Sequence, residues 1–212
     1  MKINAVITKK PSLSNEKRKI EEVDRNLLAI ASIMMLSIVS GALIYRFKSD
    51  VFSDGIFKYF VAFSTDLSGK SFAEAFSGFF AVDLSVLLLI SVFGVSAYGR
   101  VPILLTVIFR LLGIGALGSF LLDKYSAEGI KFFLAVIVPG KLFMLFALLL
   151  SAQNCFQTSK LTKQAIDGKN TEEISLKLFW LRNIVSAAIF LISALVDTLA
   201  LRFLSPLFKL EI

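Results

Sequence analysis

The sequence predicts an all-α, polytopic integral membrane helix bundle of about five transmembrane helices. Three observations carry this. Hydrophobic residues make up 56% of the 212-residue chain, mean hydropathy is +0.77, and 21 residues are Phe. A soluble domain is about 45–50% apolar. Apolar runs of membrane-crossing length recur along the chain, and polar, basic segments separate them.

The polar start, 1–26, reads as a basic cytoplasmic tail that fixes topology. The first span is 27–45, without a charge and longer than the apolar core of a signal peptide. The next segment is the longest outside a span. Ile56, Phe57, Phe60 and Phe63 recur at helical spacing, as do Phe72, Phe76, Phe79 and Phe80. Short interfacial helices in this first outer loop fit the pattern. Phe57, Phe60 and Phe63 also make a candidate docking surface for a partner. Gly69-Lys70-Ser71 ends like a phosphate-binding loop, but the upstream glycine is replaced by Ser64.

Four more spans follow, at 79–98, 101–122, 130–152 and 178–201. Gly99-Arg100 is a minimal loop, and Pro102 stands in the first turn of the third helix, where a missing N–H is tolerated. The single membrane domain is 27–204, and 205–212 forms a short outer tail. The N-terminal tail, Arg100 and the loop with Lys160, Lys163, Lys169 and Lys177 hold twelve Lys and Arg. The alternate segments hold seven: Arg46, Lys48, Lys58, Lys70, Lys124, Lys131 and Lys209. The excess places the N-terminus of a multi-pass membrane protein in the cytoplasm.

Histidine is absent and Cys155 is the lone cysteine, so histidine-based catalysis and Cys-clustered metal sites are excluded. No Ser-Lys or Asp pair stands at matched depth, no cofactor is implied, and no basic stripe interleaved with aromatics suggests nucleic acid. The expected protein is not an enzyme.

The most informative stretch is 101–152. Its two apolar helices each carry a cation near the middle, Arg110 and Lys141. Arg110 is about 14 Å from Val101 and Lys141 about 16 Å from Ile130 at 1.5 Å per residue. A charge at that depth costs about 2.5–3.5 kcal/mol. Asp83, Asp123, Glu128 and Asp197 all read as lying near the outer face, which leaves both cations without a counter-charge. Pro139 and Gly140 suggest a broken fourth helix whose freed carbonyls, that of Ala135 first, serve as partners. Arg110, Lys141, Pro139 and Gly140 are therefore the candidate intramembrane polar centre. It either fixes the fold or serves a partner carboxylate, an anionic lipid or a substrate. Gly113-Ile114-Gly115-Ala116-Leu117-Gly118 spells a dinucleotide fingerprint, yet it lies inside an apolar helix. Gly113, Gly115 and Gly118 read instead as helix packing, on a face that suits a homo-oligomer.

Phe93-Gly94-Val95-Ser96-Ala97-Tyr98-Gly99-Arg100-Val101-Pro102, then Arg110-Leu111-Leu112-Gly113-Ile114-Gly115, Gly129 and Pro139, resembles the stage II sporulation protein M family. Gly94, Gly99, Pro102, Arg110, Gly113 and Pro139 fall on the family pattern, and Lys141 departs from it. The resemblance implies a non-enzymatic membrane scaffold at the septal membrane of a spore-forming bacterium. It would anchor peptidoglycan-degrading partners, stage II sporulation proteins D and P, during engulfment of the forespore. The alternative is a transporter or permease subunit with a polar site at the Arg110/Lys141 level.

Overall fold

The structure is a computed structural model that describes residues 13–47, 71–168 and 175–208. The described residues are helical and contain no strand. In order they form α1 (Leu13–Phe47), α2 (Phe72–Val95), α3 (Arg100–Phe132), a π-helical turn (Phe133–Ile137), α4 (Val138–Ile166), α5 (Leu176–Leu204) and a 3₁₀ turn (Ser205–Leu207). Four stretches are long and apolar enough to cross a membrane: Arg25–Phe47, Phe72–Val95, Arg100–Ile166 and Leu176–Leu204. The third has 67 residues, which would be about 100 Å of straight helix. It is not straight. Ser126 has φ 50° and ψ −128°, a backbone region usually left to glycine, and the chain folds back there. As a result Gly118 lies against the Phe133 ring, while Arg100 at the far end of α3 lies over Phe156 of α4. α3 and α4 are therefore antiparallel.

Helix ends follow local chemistry. Ser71 and Glu74 form a capping box: the Ser71 hydroxyl accepts from the Glu74 N–H, and the Ser71 N–H donates to Glu74 Oε2 at 2.9 Å. This starts α2 at Phe72, so Phe72–Phe80 forms the first turns of the apolar helix and not a separate interfacial one. Phe76 and Phe80 stack along it with centroids 6.1 Å apart. The rest of the expected outer-loop helices, with Phe57, Phe60 and Phe63, lies outside the described residues. Ser96 turns extended, and the Gly99 N–H donates to its carbonyl at 3.2 Å. A Cβ on Gly99 would collide with the Phe93 carbonyl, so this tight turn requires glycine. α3 does not stop at Leu122, since helix continues through the polar 123–129 stretch apart from Ser126. α4 likewise runs past Ala152 to Ile166, because no breaker intervenes before Asp167-Gly168, where Gly168 turns left-handed with φ +67°.

α1 rests chiefly on α3, α4 packs on α5, and α2 packs against both α4 and α5. Large apolar side chains face outward throughout, among them Leu36, Val92, Phe109, Phe146 and Ile184. Such apolar exteriors suit lipid and not water. Two larger apolar clusters fill the inside, and a small third joins Tyr45 of α1 to Ala116 of α3. One holds Ile30, Met34, Leu87, Ile90, Ile103, Leu111, Met144, Leu148 and Phe190. The other, nearer Ser126, holds Ala75, Leu121, Phe132, Val136, Ala200 and Leu201.

Candidate functional site

Between these two clusters lies a charged layer. Asp83 falls between Ala75 and Leu87 on α2, Lys141 between Val136 and Met144, and Asp197 between Phe190 and Ala200 on α5. On α3, Arg110 lies just before Leu111, the last buried residue of the first cluster, and the second cluster resumes at Leu121. Arg110 Nη2 donates to Asp83 Oδ1 at 2.6 Å, and Lys141 Nζ donates to Asp197 Oδ2 at 2.6 Å. The carboxylate side chains are 1% and 4% exposed, their cations 13% and 15%, so both pairs are withdrawn from the lipid face. Lys141 Nζ also sits 5.4 Å from the Phe79 ring centroid. Asp83 and Arg110 are close enough to Asp197 to act on its charge. The four residues thus form one group with zero formal charge, contributed by four helices.

The expectation that no carboxylate matches the two cations is therefore wrong. Its error was one of depth. With α2 starting at Phe72, Asp83 is about 16 Å in from the helix start rather than about 6 Å, at 1.5 Å per residue. α5 continues to Leu204, and a 3₁₀ turn extends to Leu207, which moves Asp197 inward as well. The signal was present in Ser71-Phe72-Ala73-Glu74, which spells a capping box before an apolar run.

The fourth helix is not broken at Pro139. The π turn just before it widens the helix, and the Val138 N–H donates to the Phe133 carbonyl five residues back. Such a turn absorbs the proline without opening the chain. Gly140 has a different role from the one expected. A Cβ there would collide with the Asp197 carboxylate, so the missing side chain is the space into which that carboxylate fits. The Gly140 carbonyl accepts from Ser193 Oγ at 2.9 Å, which ties the same level of α4 to α5.

The glycines of α3 do not share one face. Gly115 touches α1, where a Cβ would collide with the Ile38 carbonyl, whereas Gly118 faces the Phe133 ring. Gly113 is buried. The opposing contact on α1 is Gly41, whose Cβ would collide with the Leu112 carbonyl. Gly41 was not foreseen, although a glycine mid-span in an apolar helix signals close packing.

A second polar cluster went unforeseen. Asn154 Nδ2 donates to Asn183 Oδ1 at 3.1 Å and to the Phe179 carbonyl at 3.2 Å, joining α4 and α5 beside Cys155. Ser159 Oγ donates to the Ser96 carbonyl at 2.8 Å and fastens the extended end of α4 to the α2–α3 turn. Asn183, an asparagine within an apolar span, was the available signal.

No curated protein and no solved structure matches the chain. A family model described as Stage II sporulation protein M matches residues 29–200, a region that takes in α2 to α4, the charged layer and most of α1 and α5. The chain belongs to the stage II sporulation protein M family.

Proposed function

We propose that the chain is a non-enzymatic membrane scaffold that anchors peptidoglycan-degrading partners, stage II sporulation proteins D and P, at the septal membrane during engulfment. The family match carries this reading. The charged layer supports it. Two ion pairs that neutralise each other and link four helices suit a fixed core. The transporter alternative was motivated by a broken fourth helix and midplane cations; the helix runs on through the π turn and both cations are paired, which weakens it. Absence of histidine from the sequence agrees with a non-enzymatic role.

The scaffold crosses the membrane five times, with Arg100–Ile166 folded at Ser126 into two crossings. Its Gly99 end faces the cytoplasm. The charges favour this orientation: among described residues, Lys17, Arg18, Lys19, Arg25, Arg100, Lys160, Lys163, Lys177 and Arg182 at that end outnumber Glu16, Glu21, Glu22, Asp24 and Asp167. At the Ser126 end, Arg46, Lys124, Lys131 and Arg202 are offset by Glu74, Asp123 and Glu128. The first outer loop then meets exported partners, with Phe57, Phe60 and Phe63 as the docking surface.

Co-purification from sporulating cells tests the reading. The triple change Phe57→Ser, Phe60→Ser, Phe63→Ser should abolish partner capture while the protein stays at normal abundance in the membrane. Capture that survives the triple change removes this loop as the dock. A wild-type protein that captures neither partner removes the scaffold.

A further inference from the structure

One ion pair of the charged layer is a fork with a single arm closed. A guanidinium meets a carboxylate best through two parallel hydrogen bonds. Arg110 makes one, from Nη2 to Asp83 Oδ1 at 2.6 Å. The atoms of the second arm, Arg110 Nε and Asp83 Oδ2, are both buried, and neither has a hydrogen-bond partner among the described residues. They do not reach each other. The Lys141–Asp197 pair leaves no such remainder. The Asp83 side chain is 1% exposed, so neither bulk water nor a lipid headgroup meets its second oxygen. Buried polar atoms are nearly always paired, and leaving one unpaired is costlier still at membrane depth.

Charge limits what can pair with them. The layer already holds two cations and two carboxylates, so an added ion would leave a net charge in the membrane. The ligand is therefore neutral. Hydrogen bonding limits it further, because the same group must accept from Nε–H and donate to Oδ2, which a hydroxyl does. Both atoms flank the closed bond, so the space between them suits one small group. We propose that Arg110 Nε and Asp83 Oδ2 hold one internal water molecule, which completes the link between α2 and α3. Two polar partners are enough to retain a buried water. Apolar clusters lie on either side of the layer, with Leu87 and Leu111 in one and Leu121 and Val136 in the other. The water is thus a resident of the fold, separated from both membrane surfaces. The inference concerns the charged layer alone and does not depend on the scaffold reading.

Proton-detected solid-state NMR of the full-length protein in deuterated lipid bilayers, labelled uniformly with carbon-13 and nitrogen-15, tests the site. The probe is water itself: magnetisation selected on water is followed into the arginine Nε–H signals. Correlation with its own backbone amide assigns the Arg110 signal, and Arg110→Lys should abolish it. The Arg110 Nε–H should receive water magnetisation faster than the amide of Val107, three residues away and fully buried. Dipolar recoupling between Arg110 Nε and Asp83 Cγ should stay weaker than a doubly bonded fork would give. A transfer no faster than at Val107 overturns the proposal. So does strong Nε–Cγ recoupling, which would mean that the fork closes on itself without water. Both readouts come from the wild-type protein, so an Arg110→Lys variant that fails to fold leaves the outcome decided.

Discussion

Where α1 meets α3, backbone lies against backbone. Gly41 and Gly115 each present a bare Cα to a carbonyl of the other helix, at Leu112 and Ile38. Where α2, α4 and α5 meet, side chains do the fastening. Every buried polar side chain among the described residues except Ser37 sits on one of these three helices. In lipid there is no hydrophobic gain from joining two apolar helices, so association relies on close packing or on polar contacts. This molecule uses the first means for its peripheral helix and the second for its centre. The two should fail differently. Packing contacts degrade with added volume, whereas charge contacts fail when one partner is lost.

The largest effect should come from Gly140→Val. The added carbons would push the Asp197 carboxylate away from Lys141 and leave two buried charges unpaired. Loss of a buried pair costs about 3–5 kcal/mol. Reversible unfolding in bicelles should show a loss of that size, and a loss below about 1 kcal/mol would mean that Gly140 does not seat the carboxylate.

Gly115→Leu should cost less, about 1–3 kcal/mol, and should act locally. The expected result is an α1 that becomes accessible to protease while α2 to α5 keep their unfolding midpoint. If α1 stays protected, the glycine contact does not hold it. Ser71→Ala should cost about 1 kcal/mol by removing the cap of α2. Amide exchange would report it as faster exchange confined to the first turns of α2. Asn154→Ala should cost a similar amount, about 1 kcal/mol, because it removes two interhelical hydrogen bonds that average about 0.6 kcal/mol each in lipid. A loss above about 2 kcal/mol would promote the Asn154–Asn183 contact to a main fastening of the bundle.

Helices, their order and the turn at Gly99-Arg100 were legible because apolar runs and the Gly-Arg-Val-Pro stretch encode them locally. The polar centre was half legible. Arg110 and Lys141 stand out in any apolar run, whereas Asp83 and Asp197 were misplaced by helix ends drawn a few residues short. In a bundle, a boundary error becomes a depth error at 1.5 Å per residue, and depth decides which charges meet. Gly140 could not be read correctly either. Beside Pro139 it suggested an opened helix, but its reason lies on α5, 57 residues further on at Asp197. The π turn was equally hidden, since the proline that it accommodates gives no sign of which residues will widen. Resemblance to the family was read from glycines, prolines and one cation, Arg110, and the family match spans residues 29–200.

The central claim is that the intramembrane charges neutralise one another. A double-mutant cycle on Arg110 and Asp83, by reversible unfolding in bicelles, tests it most directly. Arg110→Ala and Asp83→Ala should each destabilise by about 3–5 kcal/mol, because each leaves its partner charged and unpaired. The double variant should lose far less than the two losses combined, with a coupling of at least about 2 kcal/mol. Strictly additive losses would contradict the account, since they would mean that Arg110 and Asp83 answer to different partners.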